Sequence, residues 1–458
     1  MIAGLKPYPK YQDTDLPWLD SMPSNWSKRR MKFLFRERVQ KGFPHEPLLA
    51  ATQRKGVVRK SDYESRTVTA SKDFHLLKLV ETGDFVISLR SFEGGIELAH
   101  ARGIISPAYT ILCPGPDAVR AFYSRFFKSA DFIRSLTLFV TGIREGQNID
   151  YERLSRAYMP LPPAEDQIAI GRFLDWSSGR LDKAIRSKQR VVMLLNEQRQ
   201  TIINHAVTRG IDASARLKPS GIPWVGDIPE HWDIRRAKYI FHEVDERSLD
   251  GGEELLSVSH ITGVTPRSQK NITMFKAASY SGHKLCQPGD LVVNTMWAWM
   301  GALGVSTYSG IISPAYAVYR PHQNQRFVRE YIDGLLRSRP YISNILCRST
   351  GVRSSRLRMY PEEFFRLPII LPPFSEQQRI VESIGVKSAG VNKSIARLER
   401  EIELLQELKT SLVNDVVTGK VDVRGAGAQL PKDVIAEAAN FDADQEIDDE
   451  TLEEEVSL

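Results

Sequence analysis

Cysteine is almost missing from this sequence of 458 residues. Cys113, Cys286 and Cys347 stand alone, with no paired CxxC and no histidine at ligand spacing, which excludes a disulfide framework and a structural zinc site. Long apolar runs are missing too. The most apolar stretch, Leu291 to Val305, contains Asn294 and two glycines and is too short to span a bilayer. Met1 to Asp15 is polar, carries Pro7 and Pro9, and does not read as a signal peptide. A cytoplasmic protein without disulfides is expected.

Catalytic motifs are also lacking. Leu371-Pro372-Pro373-Phe374 has the prolines and ring of an amino-methyltransferase loop, but Leu stands where the polar acceptor must be. Leu161-Pro162-Pro163-Ala164 lacks the ring as well. Arg424-Gly425-Ala426-Gly427 has no strand–turn–helix context, and Gly419-Lys420 lacks the upstream glycine of a phosphate loop. Glu407-Leu408-Lys409 resembles half of a nuclease metal motif but lies in a helical stretch with no carboxylate partner. No HExxH, GxSxG or paired-histidine site is present, so no catalytic residue, metal or cofactor is assigned to this chain.

What the sequence does have is charge and repetition. Residues 431–458 hold eleven acidic residues and one lysine, a net of −10, so a chain of net +6 carries +16 on residues 1–430. A body that basic suits a polyanionic partner, although solubility alone would also account for it. The acidic tail has few aromatics and is expected to be disordered.

The sequence repeats itself at an offset of about 206 to 211 residues. Leu16-Pro17-Trp18 returns as Ile222-Pro223-Trp224, and Pro23 and Trp26 return as Pro229 and Trp232. Gly83-Asp84 returns as Gly289-Asp290, and Gly103 to Tyr109 returns intact as Gly310 to Tyr316. Thr141-Gly142 and Arg144 return as Thr350-Gly351 and Arg353; Leu161-Pro162-Pro163 returns as Leu371-Pro372-Pro373. Asn204 and Val207-Thr208 return as Asn414 and Val417-Thr418. Each copy opens with short β-like runs and turn signals: Phe85 to Leu89 and Leu291 to Val293 read as strands, as do Ile105 to Leu112 and Ile312 to Tyr319, each begun by Ser-Pro. Residues 117–136 and 325–346 read as helical. This part is an α+β domain.

The prolines of Leu-Pro-Pro close each α+β domain, and acidic residues just beyond them suit a helix first turn. Leu181, Ile185, Lys188, Val192, Leu195, Arg199, Ile202 and Ala206 alternate spacings of four and three. Val391, Ile395, Leu398, Ile402, Leu405, Lys409, Leu412 and Val416 do so in the same register. Two matching heptad stripes predict long helices that pair like a coiled coil; unrelated amphipathic helices, each on its own domain, are the alternative. The expected division is two α+β domains, 1–163 and 216–373, helical spacers at 164–215 and 374–424, and a tail at 425–458.

Ile222-Pro223-Trp224-Val225-Gly226-Asp227-Ile228-Pro229-Glu230-His231-Trp232 resembles the opening motif of the specificity subunits of type I restriction–modification enzymes. So do Thr-Gly-x-Arg, Ser-Pro-Ala-Tyr and the Leu-Pro-Pro-x-x-Glu-x-Gln helix start. The likeness spans about residues 15–424 and is looser in the first copy, where Leu19-Asp20-Ser21 replaces Val-Gly-Asp and Asn25 replaces His. The resemblance implies two target recognition domains, each reading one half of a split, asymmetric double-stranded DNA target. It implies paired helices that set the spacing and dock two methyltransferase subunits, with motor–nuclease subunits joining them. S-adenosylmethionine, ATP and magnesium would be bound by those partners, and adenine methylation and ATP-dependent cleavage would be theirs. A self-sufficient DNA-binding regulator is the competing reading.

The copies differ most over about 40–82 and 246–288, where half-site reading would differ if it lies there. Gln53, Arg54, Lys55, Arg59, Lys60 and Lys72 cluster in the first stretch, and His260, Arg267, Gln269, Lys270 and Asn271 in the second. Arg and Lys suit guanine, and Gln and Asn suit adenine, in the major groove, although most such residues touch phosphate or water. Arg144, Arg353, Arg356 and Arg358 follow Thr-Gly and suit a shared grip on phosphate or a structural turn; Arg90 and Arg102 flank the strands that lead into Ser-Pro-Ala-Tyr. Trp297 and Trp299 read as core or partner surface on a strand. Leu181, Ile185, Val192, Leu195, Ile202, Val391, Ile395, Leu398, Ile402, Leu405 and Leu412 are the expected spacer and docking residues.

Overall fold

The structure, a computed structural model, describes residues 5–53, 55–62, 73–141, 148–269, 279–351 and 357–430. The chain forms two compact units that do not follow chain order. One joins the described residues up to Lys188 with those from Arg400 onward; the other spans Gln189–Glu399.

Each unit is built on a four-stranded antiparallel sheet of the same topology. In the first unit its order is Phe35–Arg38, Thr110–Pro114, Phe85–Ile87, Glu97–Leu98. In the second it is Phe241–Val244, Ala317–Pro321, Leu291–Val293, Leu303–Val305. Four smaller ladders recur in both units. One of them pairs the strand that follows the opening motif with the strand that ends in Leu-Pro-Pro: Ser27–Arg30 with Tyr158–Leu161, and Asp233–Arg236 with Pro368–Leu371.

The Ser-Pro dipeptides do not begin a strand, contrary to the sequence reading. Each sits in an exposed turn between two strands, Gly103–Ile105 and Thr110–Pro114 in one unit and Gly310–Ile312 and Ala317–Pro321 in the other. Proline supplies no N–H to a ladder, and the hydroxyl of Ser106 or Ser313 accepts from the N–H two residues on. The helical stretches are likewise broken in two, Arg120–Phe126 with Ala130–Leu136 and Arg329–Leu336 with Arg339–Arg348. Ser129 and Ser338 stand extended at the breaks.

Rings fill the first core. Phe35, Phe85, Phe122, Tyr123, Phe126, Phe127 and Phe132 are fully buried, mostly edge-on or tilted to one another, and Trp18 closes over Phe126 and Phe132. The second core packs Trp224 edge-on to Tyr341 and stacks Tyr319 on Phe364.

The long helices are Ala164–Arg209 and Phe374–Val417. Both start two residues after the Leu-Pro of Leu-Pro-Pro, where Gln167 and Gln377 are buried. Gln167 accepts from Val119 N–H and donates to the carbonyls of Asp117 and Pro162; Gln377 accepts from Val328 N–H and donates to Pro372. The acid before each glutamine takes a partner from the opening motif: Asn25 donates to Asp166 at 3.0 Å and His231 bonds Glu376 at 2.6 Å. Asn25 thus substitutes for histidine without loss of the pair.

Within each unit the helices run antiparallel. Asp182 meets Lys409 at 2.6 Å and Lys188 meets Glu401 at 2.5 Å in the first; Arg199 meets Asn392 at 3.4 Å in the second. Asp182–Lys409 and Asn392–Arg199 are the same contact written with the two copies exchanged. Ile185, Ala206, Ile395, Leu412 and Val416 on the heptad seam are buried and the other seam residues half-buried. Val191, Leu194, Leu404 and Leu408, off the seam, are exposed.

The helix ends then complete the cores. Leu412, Val416 and Val417, from the helix that follows the second copy, lie in the first core; Ala206 and Val207, from the helix that follows the first, lie in the second. Asn414 accepts from Asp131 N–H and donates to its carboxylate; Asn204 accepts from Arg339 N–H. Arg424–Gln429 forms a short helix whose Gly427 lies against the backbone of Ala169.

The fully buried Tyr331 hydroxyl donates to the carbonyls of Val207 at 3.1 Å and Ile370 at 3.2 Å, tying helix end to strand. Tyr331→Phe leaves both acceptors in a dry core. It is expected to lower the unfolding free energy by about 1–2 kcal/mol, read from the urea midpoint of tryptophan fluorescence.

Candidate nucleic-acid interface

The two most divergent stretches of sequence fold into the same object. Leu49–Thr52 pairs with Gly56–Arg59, and Leu256–Ser259 pairs with Gly263–Pro266, each an antiparallel hairpin with a three-residue tip. Gly56 and Gly263 take φ of +72° and +65°, the left-handed residue that closes a three-residue hairpin loop. The residue before each tip caps it from within: Thr52 Oγ1 accepts from Lys55 N–H at 2.9 Å, and Ser259 Oγ from Thr262 N–H at 3.1 Å. Ladder, glycine and cap match while the described tip side chains do not. Gln53 and Lys55 are exposed on one tip; His260 is half-buried and Ile261 and Thr262 exposed on the other.

A short 3-10 turn follows each hairpin, Lys60–Asp62 and Arg267–Gln269, anchored by the same bond from its first N–H to the carbonyl of Leu48 or Leu255. Arg59 and Gln269 are exposed there, and Lys60 and Arg267 half-buried. The structure therefore groups Gln53, Lys55, Arg59 and Lys60 on one hairpin, and His260, Arg267 and Gln269 on the other. Arg54, Lys72, Arg144, Lys270, Asn271, Arg353 and Arg356 lie outside the described residues.

The remaining candidates separate. Arg90 is exposed and opens the helical turn Ser91–Gly94, whose Gly94 lies beside the Gln53 side chain. Arg358 is exposed and approaches Met296 Sδ at 4.0 Å. Trp297 and Trp299 lie in the turn after strand Leu291–Val293, not on it, stacked at 5.8 Å, with Trp299 Nε1 donating to Met296 O. Arg102 is committed to Glu46 and Glu81, and the bond to Glu46 holds its guanidinium above the usual range.

Sequence reasoning missed the cations beneath this surface. Lys78 and Lys284 are buried at equivalent strand positions, Lys78 donating to Tyr109 O at 2.7 Å and Lys284 paired with Asp245 at 3.4 Å. The Gly-Asp motif proves to be a buried carboxylate. Asp84 receives Arg38 from the strand Phe35–Arg38, and Asp290 receives Arg320 from Ala317–Pro321. Arg38 lies on the first strand of its sheet and Arg320 on the second strand of the equivalent sheet, so the two do not align at the repeat offset. Lys128 and Arg337, equivalent residues between the paired helices, bond the hairpin tips: Lys128 Nζ donates to Gln53 O at 2.9 Å, and Arg337 Nη2 donates to the carbonyls of His260 and of Ile261, the latter at 2.7 Å.

Among the described residues no cluster of His, Cys, Asp or Glu is arranged to hold a metal ion, and no helix is long and apolar enough to cross a membrane.

No family model matches the chain. Among solved structures, a chain from a study of complex assembly and conformational transition of the type I restriction–modification system matches with a TM-score of 0.54 and 16% identity, over 86% of this chain and 98% of that one. The HsdS subunit from Thermoanaerobacter tengcongensis matches with a TM-score of 0.40 and 17% identity, over 87% and 98%. A type I restriction–modification S subunit from M. genitalium matches with a TM-score of 0.31 and 12% identity, over 86% and 96%. Two of these three are named as S subunits, one of them of a type I restriction–modification system. The likeness is one of fold, carried by the first match: two α+β domains with long helices.

The tip glycines differ in what surrounds them. A Cβ on Gly56 would lie 2.6 Å from the Leu98 carbonyl oxygen, whereas on Gly263 it meets nothing nearer than the end of Arg337 at 3.4 Å. Both Gly→Ala variants carry left-handed strain of about 1 kcal/mol. Gly56→Ala adds a backbone clash and is expected to be the more destabilising, by denaturation of the two variants side by side.

Proposed function

We propose that this chain is the non-catalytic, sequence-reading subunit of a type I restriction–modification complex, each α+β unit reading one half of a bipartite asymmetric DNA target. The observation that carries the reading is the pair of hairpins: the same ladder, the same left-handed glycine and the same hydroxyl cap, on duplicated sheets, with different side chains at the tips. Duplication with drift everywhere would blur the loops along with their side chains. Here the pairing, the glycine and the cap are kept while the exposed tip residues Gln53 and Lys55 give way to His260 and Thr262, as a reader of two different half-sites requires.

Charge supports a nucleic-acid partner. Residues 1–430 carry +16, and exposed Lys55, Arg59, Arg90 and Arg358 can supply the phosphate contacts that give a reader its register. At the tips Gln53 is suited to the adenine edge, and exposed Ile261 to a thymine methyl. On this reading the paired helices set the gap between half-sites and dock two methyltransferase subunits, which motor–nuclease subunits join. S-adenosylmethionine, ATP and magnesium belong to those partners. Flipping a target adenine out of the stack is costly, and a subunit that grips the duplex on both sides of it helps the methyltransferase meet that cost.

The test is to map methylated adenines in DNA from cells carrying this chain with its methyltransferase. A two-part asymmetric motif is expected; a short uninterrupted palindrome overturns the reading. Exchanging residues 53–55 for His-Ile-Thr should change one half of the motif only. Inserting one heptad into each long helix, at Val192 and at Leu398, keeps the seam in register and adds about 10 Å of helix. It should widen the gap by about three base pairs, at 3.4 Å per step, and leave both halves intact.

A further inference from the structure

We infer that Lys128 and Arg337 are positioning residues for sequence discrimination, each fixing the hairpin tip of its own unit without touching DNA. This rests on the reading that the tips face the bases.

The two residues hold one place in the fold. Each lies between the two paired helices and directly precedes the serine that opens the second, Lys128 two residues and Arg337 one residue past the first helix, a helix C-terminus that favours a cation. From there each reaches a tip that is distant in sequence. Lys128 Nζ donates to Gln53 O at 2.9 Å and Gly94 O at 2.8 Å, and pairs with Glu97. An ammonium has three donors, so all of them are used. Arg337 places Nη2 on the carbonyls of His260 and Ile261 and bonds Asp333 through Nη1 at 3.3 Å. The first tip residue, Gln53 or His260, is grasped by its carbonyl in both units.

The neutralising acid, by contrast, is not shared. Glu97 comes from a strand, buried so that its carboxyl is pushed up in pKa despite Lys128; Asp333 lies one helical turn before Arg337 and also accepts from Val305 N–H. Different acids around a cation of constant placement mark the bond to the tip as the feature that was kept. Because the bonds go to carbonyls, they fix the tip backbone whatever side chains it carries. Lys128 has all three donors spent on the protein, and Arg337 spends its Nη2 donors on the tip and an Nη1 donor on Asp333, so the groups that hold the tips are not the phosphate contacts.

The test uses the full chain on a pool of duplexes of about 40 base pairs with randomised sequence, followed by sequencing of the bound fraction. Lys128→Met should weaken discrimination in one half of the selected motif by about ten- to a hundredfold, and Arg337→Met in the other half, from the loss of charge-assisted bonds. Binding to unselected pool DNA at low salt should stay within about twofold of the unmodified chain, since no phosphate contact is lost. Lys128→Arg and Arg337→Lys should restore the sharper motif. Gly94→Ala crowds the first tip, its Cβ meeting Gln53 Cγ at 2.8 Å, and should blur the same half as Lys128→Met even if that variant folds poorly. Variants that leave both halves sharp, or blur both equally, overturn the assignment. An unmodified chain that selects no two-part motif instead overturns the functional reading, and the assignment with it.

Discussion

The antiparallel seam between the two long helices is the constraint on which both units depend. Neither unit is made of one continuous piece of chain: Leu412, Val416 and Val417 complete the first core, and Ala206 and Val207 the second. A helix end can reach a core formed by the other copy only if the helices run in opposite directions in a fixed register. The polar seam positions specify that register. Asp182 against Lys409, and Asn392 against Arg199, place an Asp/Asn opposite a cation at equivalent points of the seam. Half-exposed pairs of this kind add little stability, and their value lies in penalising a shifted alignment.

On that frame the two copies conserve bonds more faithfully than residues. Asp84 and Asp290 each keep a guanidinium, but Arg38 and Arg320 reach them from non-equivalent strands. A buried carboxylate left alone would cost about 3–5 kcal/mol, so losing one arginine must be matched by gaining another within reach. Where the partner is exposed the pairing is looser: Asn25 with Asp166 answers His231 with Glu376 through one hydrogen bond. At the tips, where side chains are solvated, no such penalty applies, and there the copies diverge.

This gradient also determines what could be read from the sequence. The duplication, the heptad stripes, the α+β class and the helix starts were legible because buried apolar positions and prolines repeat in place. The buried roles of Gln167 and Gln377 were visible only as motif letters. The Ser-Pro turns were misread as strand starts because Ile-Ile on one side and the apolar residues on the other merge into one run when the turn proline is ignored. The hairpins were hidden for the opposite reason. Their shared signal is one glycine, one hydroxyl residue and alternating apolar positions, spread through otherwise unlike sequence. Lys128 and Arg337 gave no signal at all, since a basic residue near a helix end is common and its carbonyl partners lie tens of residues away.

A reader whose loop backbone is held by carbonyl bonds is free to change its side chains. Had the tips been fixed through their own side chains, each new half-site would have demanded a new way of holding the loop, and the two copies would differ in backbone as well as in sequence. Bonds from Lys128 and Arg337 to main-chain oxygens separate the two tasks. Holding is done by atoms every residue has, and on the proposed reading recognition falls to atoms that vary. The same separation accounts for Thr52 and Ser259, different residues that cap the same turn with the same oxygen. It follows that, on the proposed reading, the bonds most diagnostic of the reading surface are the repeated ones around it, because they define a place where substitution is structurally silent.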